Sequence, residues 1–174
     1  MNLGQTMLSA ATLVVLAALV LNANRLIVEG EKDILKGEAF DLAVNHAQAL
    51  LAEIGRKKFD AATADSGYQA PSEFTPAGSL GPDGPEASAI SPWPDRMPFR
   101  SIAAYDDADD YNGYERIINT DLLNDLSLWV EVTYVSDTNP DLAVSTQTYF
   151  KRVTVLARHP SYLNAISFST LVTN

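Results

Sequence analysis

Met1 to Asn24, MNLGQTMLSAATLVVLAALVLNAN, carries no charged side chain. An apolar run of that length limits the possible folds more than any other feature of the chain. A helix made of it needs apolar cover on every side, more than a small domain supplies, so it must meet lipid or other protein. Leu3 to Ala23 is long enough for a bilayer's hydrocarbon core, ~30 Å at ~1.5 Å per residue. Three uses compete. A cleaved secretory signal needs a basic stretch ahead of its apolar core, and nothing before Arg25 is basic, although Leu21-Asn22-Ala23 would serve as a cleavage site. A membrane anchor fits the length, with Arg25 as its flanking charge. A working part of the mature fold is the third reading, and the next thirty residues favour it.

The helical pattern does not stop at Arg25. Leu35, Ala39, Leu42, Ala43, Ala47, Leu50 and Ile54 recur at steps of three and four, the signature of one apolar stripe. Glu31, Lys32, Asp33, Lys36, Glu38 and Asp41 form the solvated face between them. No proline occurs before Pro71. Gly30 and Gly37 each cost the helix about 1 kcal/mol relative to Ala and mark its weakest stretch. Gly55 is expected to cap the C-terminus, with Arg56-Lys57-Lys58 suited to the negative end of the helix dipole. The pattern therefore predicts one helix over residues 1–55, apolar all round in 1–24 and amphipathic beyond.

The middle of the chain is different in kind. Residues 59–125 hold 13 Asp or Glu against 3 Arg, which accounts for the whole net charge of −10. Seven of the nine prolines fall between Pro71 and Pro98, so residues 56–125 read as an irregular acidic loop with its acidity on the surface. Tyr68, Phe74, Trp93 and Phe99 tack it to a core, and Trp93, between Pro92 and Pro94, reads as a packing plug rather than a ligand-stacking platform. The acidic balance argues against nucleic acid as a partner. With no cysteine, disulfides, thiolate metal sites and cysteine nucleophiles are all excluded.

Residues 126–174 change period from helical to alternating. Leu128, Val130, Val132 and Tyr134 alternate with Trp129, Glu131 and Thr133. Phe150 to Ala157 and Ile166 to Val172 alternate in the same way. The connections at Asp137 to Val144 and His159 to Asn164 are short and turn-rich, as in an antiparallel meander. The expected fold class is α+β: a long N-terminal helix packed in its second half against a C-terminal antiparallel sheet of three or more strands. Residues 25–125 complete one globular head with the sheet.

This layout resembles the type IV pilin superfamily, which includes pilins and the pseudopilins of type II secretion. The run Asp106-Asp107-Ala108-Asp109-Asp110-Tyr111-Asn112-Gly113-Tyr114 adds to the likeness, as does the pairing of Trp129–Val135 with Tyr149–Val155. The resemblance implies a structural subunit of an extracellular type IV pilus-like filament, a homopolymer held together by its N-terminal helices. Met1, Gln5, Leu8, Leu13, Leu16 and Val20 would be the assembly residues. The resemblance also implies a pool anchored in the cytoplasmic membrane before assembly. It implies a short leader removed after a glycine, leaving Met1 as the methylated first residue; a site at Gly4 is the alternative. One position departs from the family pattern: pilins carry Glu at position 5, and this chain has Gln5. A pseudopilin of a type II secretion-like system is the alternative within the same architecture. From another class comes a single-pass membrane-anchored periplasmic or surface binding domain.

Few residues invite chemistry. If Gly113 is aligned with the sixth position of an EF-hand loop, Ala108 falls at the first, where a carboxylate is required. Asp107, Asp109, Asp110 and Asn112 remain as an irregular Ca²⁺ candidate against the plainer reading of a solvated turn. No other cofactor is expected. His46 lies on the helical stripe and reads as a packed histidine; His159, before Pro160, reads as a turn residue. No nucleophile–base pair is assembled by spacing, and an enzyme is not expected. Arg56-Lys57-Lys58 is expected to meet the acidic segment of a neighbouring subunit.

Overall fold

The structure is a computed structural model that describes residues 2–64, 69–120, 124–161 and 163–174. Its fold is α+β. Helix α1 runs from Leu3 to Ile54, followed by five strands: β1 (Asp95–Arg96), β2 (Glu115–Ile118), β3 (Leu126–Tyr134), β4 (Phe150–His159) and β5 (Leu163–Thr173). A one-turn helix, α2 (Ser101–Ala104), lies between β1 and β2, and several single 3₁₀ turns punctuate the proline-rich stretch. The chain divides into two compact units, Met1–Glu38 and Ala39–Asn174.

In the first unit every described residue up to Ile34 is exposed. Ion pairs appear only once charges do. Arg25 Nε lies 2.8 Å from Glu29 Oε1 and Lys36 Nζ lies 3.2 Å from Asp33 Oδ1. Both are exposed pairs at helical spacing, worth a few tenths of a kcal/mol each at about one helical turn's separation.

The second unit is built on a stripe. Ala39, Ala43, Ala47, Leu50 and Ile54 are buried along one side of α1. The first three are alanines, and all five share one hydrophobic core with Leu128, Val130, Val132, Val153 and Val155 of the sheet. Opposite them stands the inner face of the sheet. The order is β1-β2-β3-β4-β5, and all pairings are antiparallel except β1 with β2, which is parallel. The register sets Val130 against Val155 and Val155 against Phe168, with Val132 against Val153 in the next row. Leu128, Val130, Val132 and Tyr134 are buried while Trp129 and Glu131 are exposed. The alternation thus places the apolar phase inward, as period-two patterning requires.

Helix α1 ends at the expected position by a different device. Gly55 N–H donates to Leu51 O (2.9 Å), and Arg56 and Lys57 N–H donate to Glu53 O and Ile54 O. The chain leaves through tightened turns rather than a left-handed glycine cap. The middle segment differs more from expectation. It supplies β1 and β2 to the sheet, and five of its aspartates, Asp60, Asp95, Asp107, Asp109 and Asp110, are buried. Surface acidity is therefore a correct expectation for only part of this segment.

Close packing at the alanine stripe gives a direct test. Ala47→Leu forces three extra carbons into a fully buried position and should cost about 1–3 kcal/mol in urea-induced unfolding. Ala49→Leu, on the exposed side of the same helix, should change stability by less than about 0.5 kcal/mol.

Candidate functional site

Two places in the chain have properties that the fold alone does not require: the apolar helical segment, and a junction of buried charges in the second unit. In the segment, Gln5, Leu8, Leu13, Leu16 and Val20 are all exposed; Met1 lies outside the described residues. Leu8, Leu13 and Leu16 leave 68%, 65% and 58% of their surface uncovered. The polar side chains do not interrupt this surface. Thr6 Oγ1 donates to Leu3 O (2.8 Å), Ser9 Oγ to Gln5 O (2.9 Å) and Thr12 Oγ1 to Ser9 O (2.9 Å). Hydroxyls bonded back to their own helix present little unsatisfied polarity to an apolar neighbour. α1 is long and apolar enough to cross a membrane by length and composition, and none of its most apolar stretch is buried by the chain itself.

The charged junction begins with a lysine in an apolar phase. Lys151, Val153, Val155 and Ala157 are the inward residues of β4, and Lys151 is completely buried. Its Nζ donates to Phe59 O (2.7 Å), Asp60 Oδ2 (3.0 Å) and Asp109 Oδ1 (2.5 Å). The rings of Phe59 and Tyr134 lie over it, at 4.4 and 5.3 Å. Asp60 is itself tied down. It accepts from Ala62 N–H, from Thr75 N–H and Oγ1, and from Tyr134 OH.

Next to Asp109 the run of aspartates folds onto its own backbone. Asp107 Oδ1 accepts from the N–H groups of Asp109 (2.9 Å) and Asp110 (3.2 Å), and Asp110 Oδ2 from those of Asp106 (2.9 Å) and Asp107 (3.1 Å). Burial, followed by the neighbouring Asp109 charge, pushes the Asp107 carboxyl up to about 8. Burial also raises Asp110, against the backbone hydrogen bonds that favour its charged form. Glu86 is raised to about 7 by desolvation and by its hydrogen bond with Asp110.

A second set of buried charges lies between α1 and β2. Arg116 Nη2 sits 3.0 and 2.9 Å from the two oxygens of Glu53 and 2.9 Å from Ser101 Oγ, and its Nε donates to Tyr114 OH (2.9 Å). The guanidinium also stacks on Phe99 at 3.9 Å. Tyr111 OH donates to Glu53 (2.7 Å) and Tyr114 OH to Asp95 (2.8 Å). Asp95 further accepts from the backbone N–H groups of Arg100 and Ser101 and pairs with Arg100 Nε at 3.3 Å. Trp93 packs edge-on to Tyr114 at 5.8 Å and remains half exposed. Charge is answered by charge or by several hydrogen bonds throughout, the condition under which ions tolerate burial.

The structure distributes the other candidate residues as follows. Of Asp107, Asp109, Asp110 and Asn112, only Asp110 joins a group of carboxylates with convergent oxygens. Its partners there, among the described residues, are Glu86 and Asp106, with one oxygen of each of the three within 4.8 Å of the others. Asp107 caps a turn, Asp109 faces Lys151, and Asn112 bridges Val132 N–H to Leu80 O. His46 is half buried, and desolvation followed by the charge of Arg116 lowers its pKa. His159 closes β4, with Nε2 2.7 Å from Asn124 O and Nδ1 accepting from Ser161 N–H. The basic run meets acidity within its own chain: Lys58 pairs with Asp106 at 3.0 Å, and Lys57 Nζ reaches Ile102 O and Tyr105 O. Lys151, Glu53 and Arg116 were not singled out by sequence reasoning. For Lys151 the signal was present, since it shares its strand phase with Val153 and Val155.

No family model, characterised protein or solved structure matches the chain.

The raised carboxyls set the sign of a pH dependence. Asp107, Asp110 and Glu86 keep protons in the folded state that the unfolded chain has already released. Between the ordinary carboxylate range and about pH 8, the folded state therefore binds more protons, and stability falls as pH rises. The thermal midpoint should be lower at about pH 8 than at about pH 5. Asp107→Asn keeps both turn hydrogen bonds but cannot ionise, and should flatten that slope.

Proposed function

We propose that this chain is the structural subunit of a type IV pilus-like filament, polymerising through the apolar part of α1. One observation carries the reading. A single helix, Leu3–Ile54, has a stripe built into a folded core from Ala39 onward, while its residues up to Ile34 are apolar or neutral for most of their length and exposed. Exposed apolar surface on this scale is stable only against lipid or other protein, and both serve a subunit that waits in the cytoplasmic membrane and then assembles outside it. Ser9, Ala10, Ala11, Ala17, Ala18 and Ala23 permit close helix approach. A pseudopilin of a secretion system uses the same assembly chemistry.

An anchored binding domain that never polymerises is the competing reading, supported by the bilayer-matched length of the same segment. Negative-stain microscopy of cells producing the protein separates the two: the filament reading expects filaments containing this chain, and the anchor reading expects none. Leu13→Asp combined with Leu16→Asp should abolish those filaments. Filaments that persist in the double variant would contradict a helical core.

A further inference from the structure

Neither assembly nor anchoring makes use of Lys151, yet its surroundings are organised as a reaction site. A primary amine and a carboxyl group are held in contact, 2.5 Å from Nζ to Asp109 Oδ1, and both side chains are almost wholly withdrawn from water. A second carboxylate, Asp60, lies 3.0 Å from the same nitrogen. In water an ammonium and a carboxylate remain ions because each is hydrated. In a dry site that hydration is lost, and condensation to a neutral amide removes both charges. Fixed contact also supplies the positioning that a reaction between two free groups would lack.

We propose that Lys151 and Asp109 are joined by an intramolecular isopeptide bond, from Nζ to Cγ, formed by the folded chain itself. The two aspartates beside Lys151 take different roles because their partners differ. Asp60 accepts four hydrogen bonds from Ala62, Thr75 and Tyr134, which fix its oxygens beside Nζ as a proton acceptor. Asp109 lies instead beside the carboxyl of Asp107, which burial keeps protonated at neutral pH and which hydrogen-bonds to it. A proton donor on an Asp109 oxygen polarises the carbonyl toward attack.

The step balances without oxidant or co-reactant. Asp60 takes one proton from Nζ, and the freed lone pair adds to Cγ of Asp109 as Asp107 passes its proton to an Asp109 oxygen. The tetrahedral centre then loses that oxygen, with a second Nζ proton, as water. The proton on Asp60 restores Asp107. An ammonium and a carboxylate become one secondary amide and one water, with no change in net charge. The remaining N–H of the amide has Phe59 O, now 2.7 Å from Nζ, as its acceptor. The bond would tie the 3₁₀ turn Asp109–Tyr111 to β4 across 42 positions of sequence, and it stands independently of the filament reading.

Mass spectrometry of the purified full chain, extracted in detergent, denatured and digested, tests the proposal. The peptides containing Lys151 and Asp109 should appear joined, lighter than their sum by one water. Lys151→Arg should yield the two peptides separately. Asp109→Asn should give the same link with loss of ammonia in place of water, because an amide is then the acyl donor. Asp60→Asn, which keeps one acceptor oxygen but takes up a proton poorly, should slow or abolish the link in a chain whose circular dichroism is unchanged. Separate, unmodified peptides from folded wild-type protein would overturn the proposal. A wild-type link mapped to Asp60 would overturn the assignment to Asp109.

Discussion

Leu13, Leu16 and Val20 leave more than half of their surface to solvent, and apolar surface removed from water is worth about 25 cal/mol per Å². Over some twenty residues of helix that term exceeds the whole net stability of an ordinary domain, about 5–15 kcal/mol. Cover for this segment is therefore a condition of the protein's existence as a dispersed molecule, and the chain leaves most of it uncovered. The side chains along it are consistent with that condition. Threonine and serine hydroxyls bond back to their own helix, and charged groups begin only at Arg25.

The second unit solves a different problem, that of a strongly acidic chain with few cations. It places Lys151 between Asp60 and Asp109, Arg116 against Glu53, and Arg100 against Asp95. The remaining buried carboxyls are answered by backbone N–H groups or retain protons, as at Asp107. The arrangement links parts of the chain that are distant in sequence. Glu53 belongs to α1 and Arg116 to β2; Asp60 follows the helix, Lys151 opens β4, and both converge on the aspartate run. Removing one partner of such a pair leaves an uncompensated buried charge, so the pairs act as fixed connections between helix, loop and sheet.

Much of this architecture is legible in the sequence, because periodicity is a direct record of burial. The stripe from Ala39 to Ile54 and the alternation in β3 to β5 identify the helix, the strands and their inward faces. β2 is hidden by its own content. Arg116, buried in the fold, occupies an inward position of a four-residue strand, and a charge there breaks the alternation by which a strand is recognised. β1 is two residues long and gains its definition only from pairing with β2. The burial of the aspartates was not legible for a related reason: Asp109 is answered by Lys151, 42 positions away. No local pattern carries that information. Lys151 marks the exception, since a lysine in phase with Val153, Val155 and Ala157 already indicates a buried cation in need of carboxylates.

The central claim concerns what covers residues 3–24, and the radial position of that segment in a three-dimensional reconstruction of the assembled protein tests it most directly. The account predicts filaments in which Leu8, Leu13, Leu16 and Val20 pack against the same segment of neighbouring copies near the filament axis. A chain that remains monomeric in the membrane, with those side chains facing lipid, would contradict it.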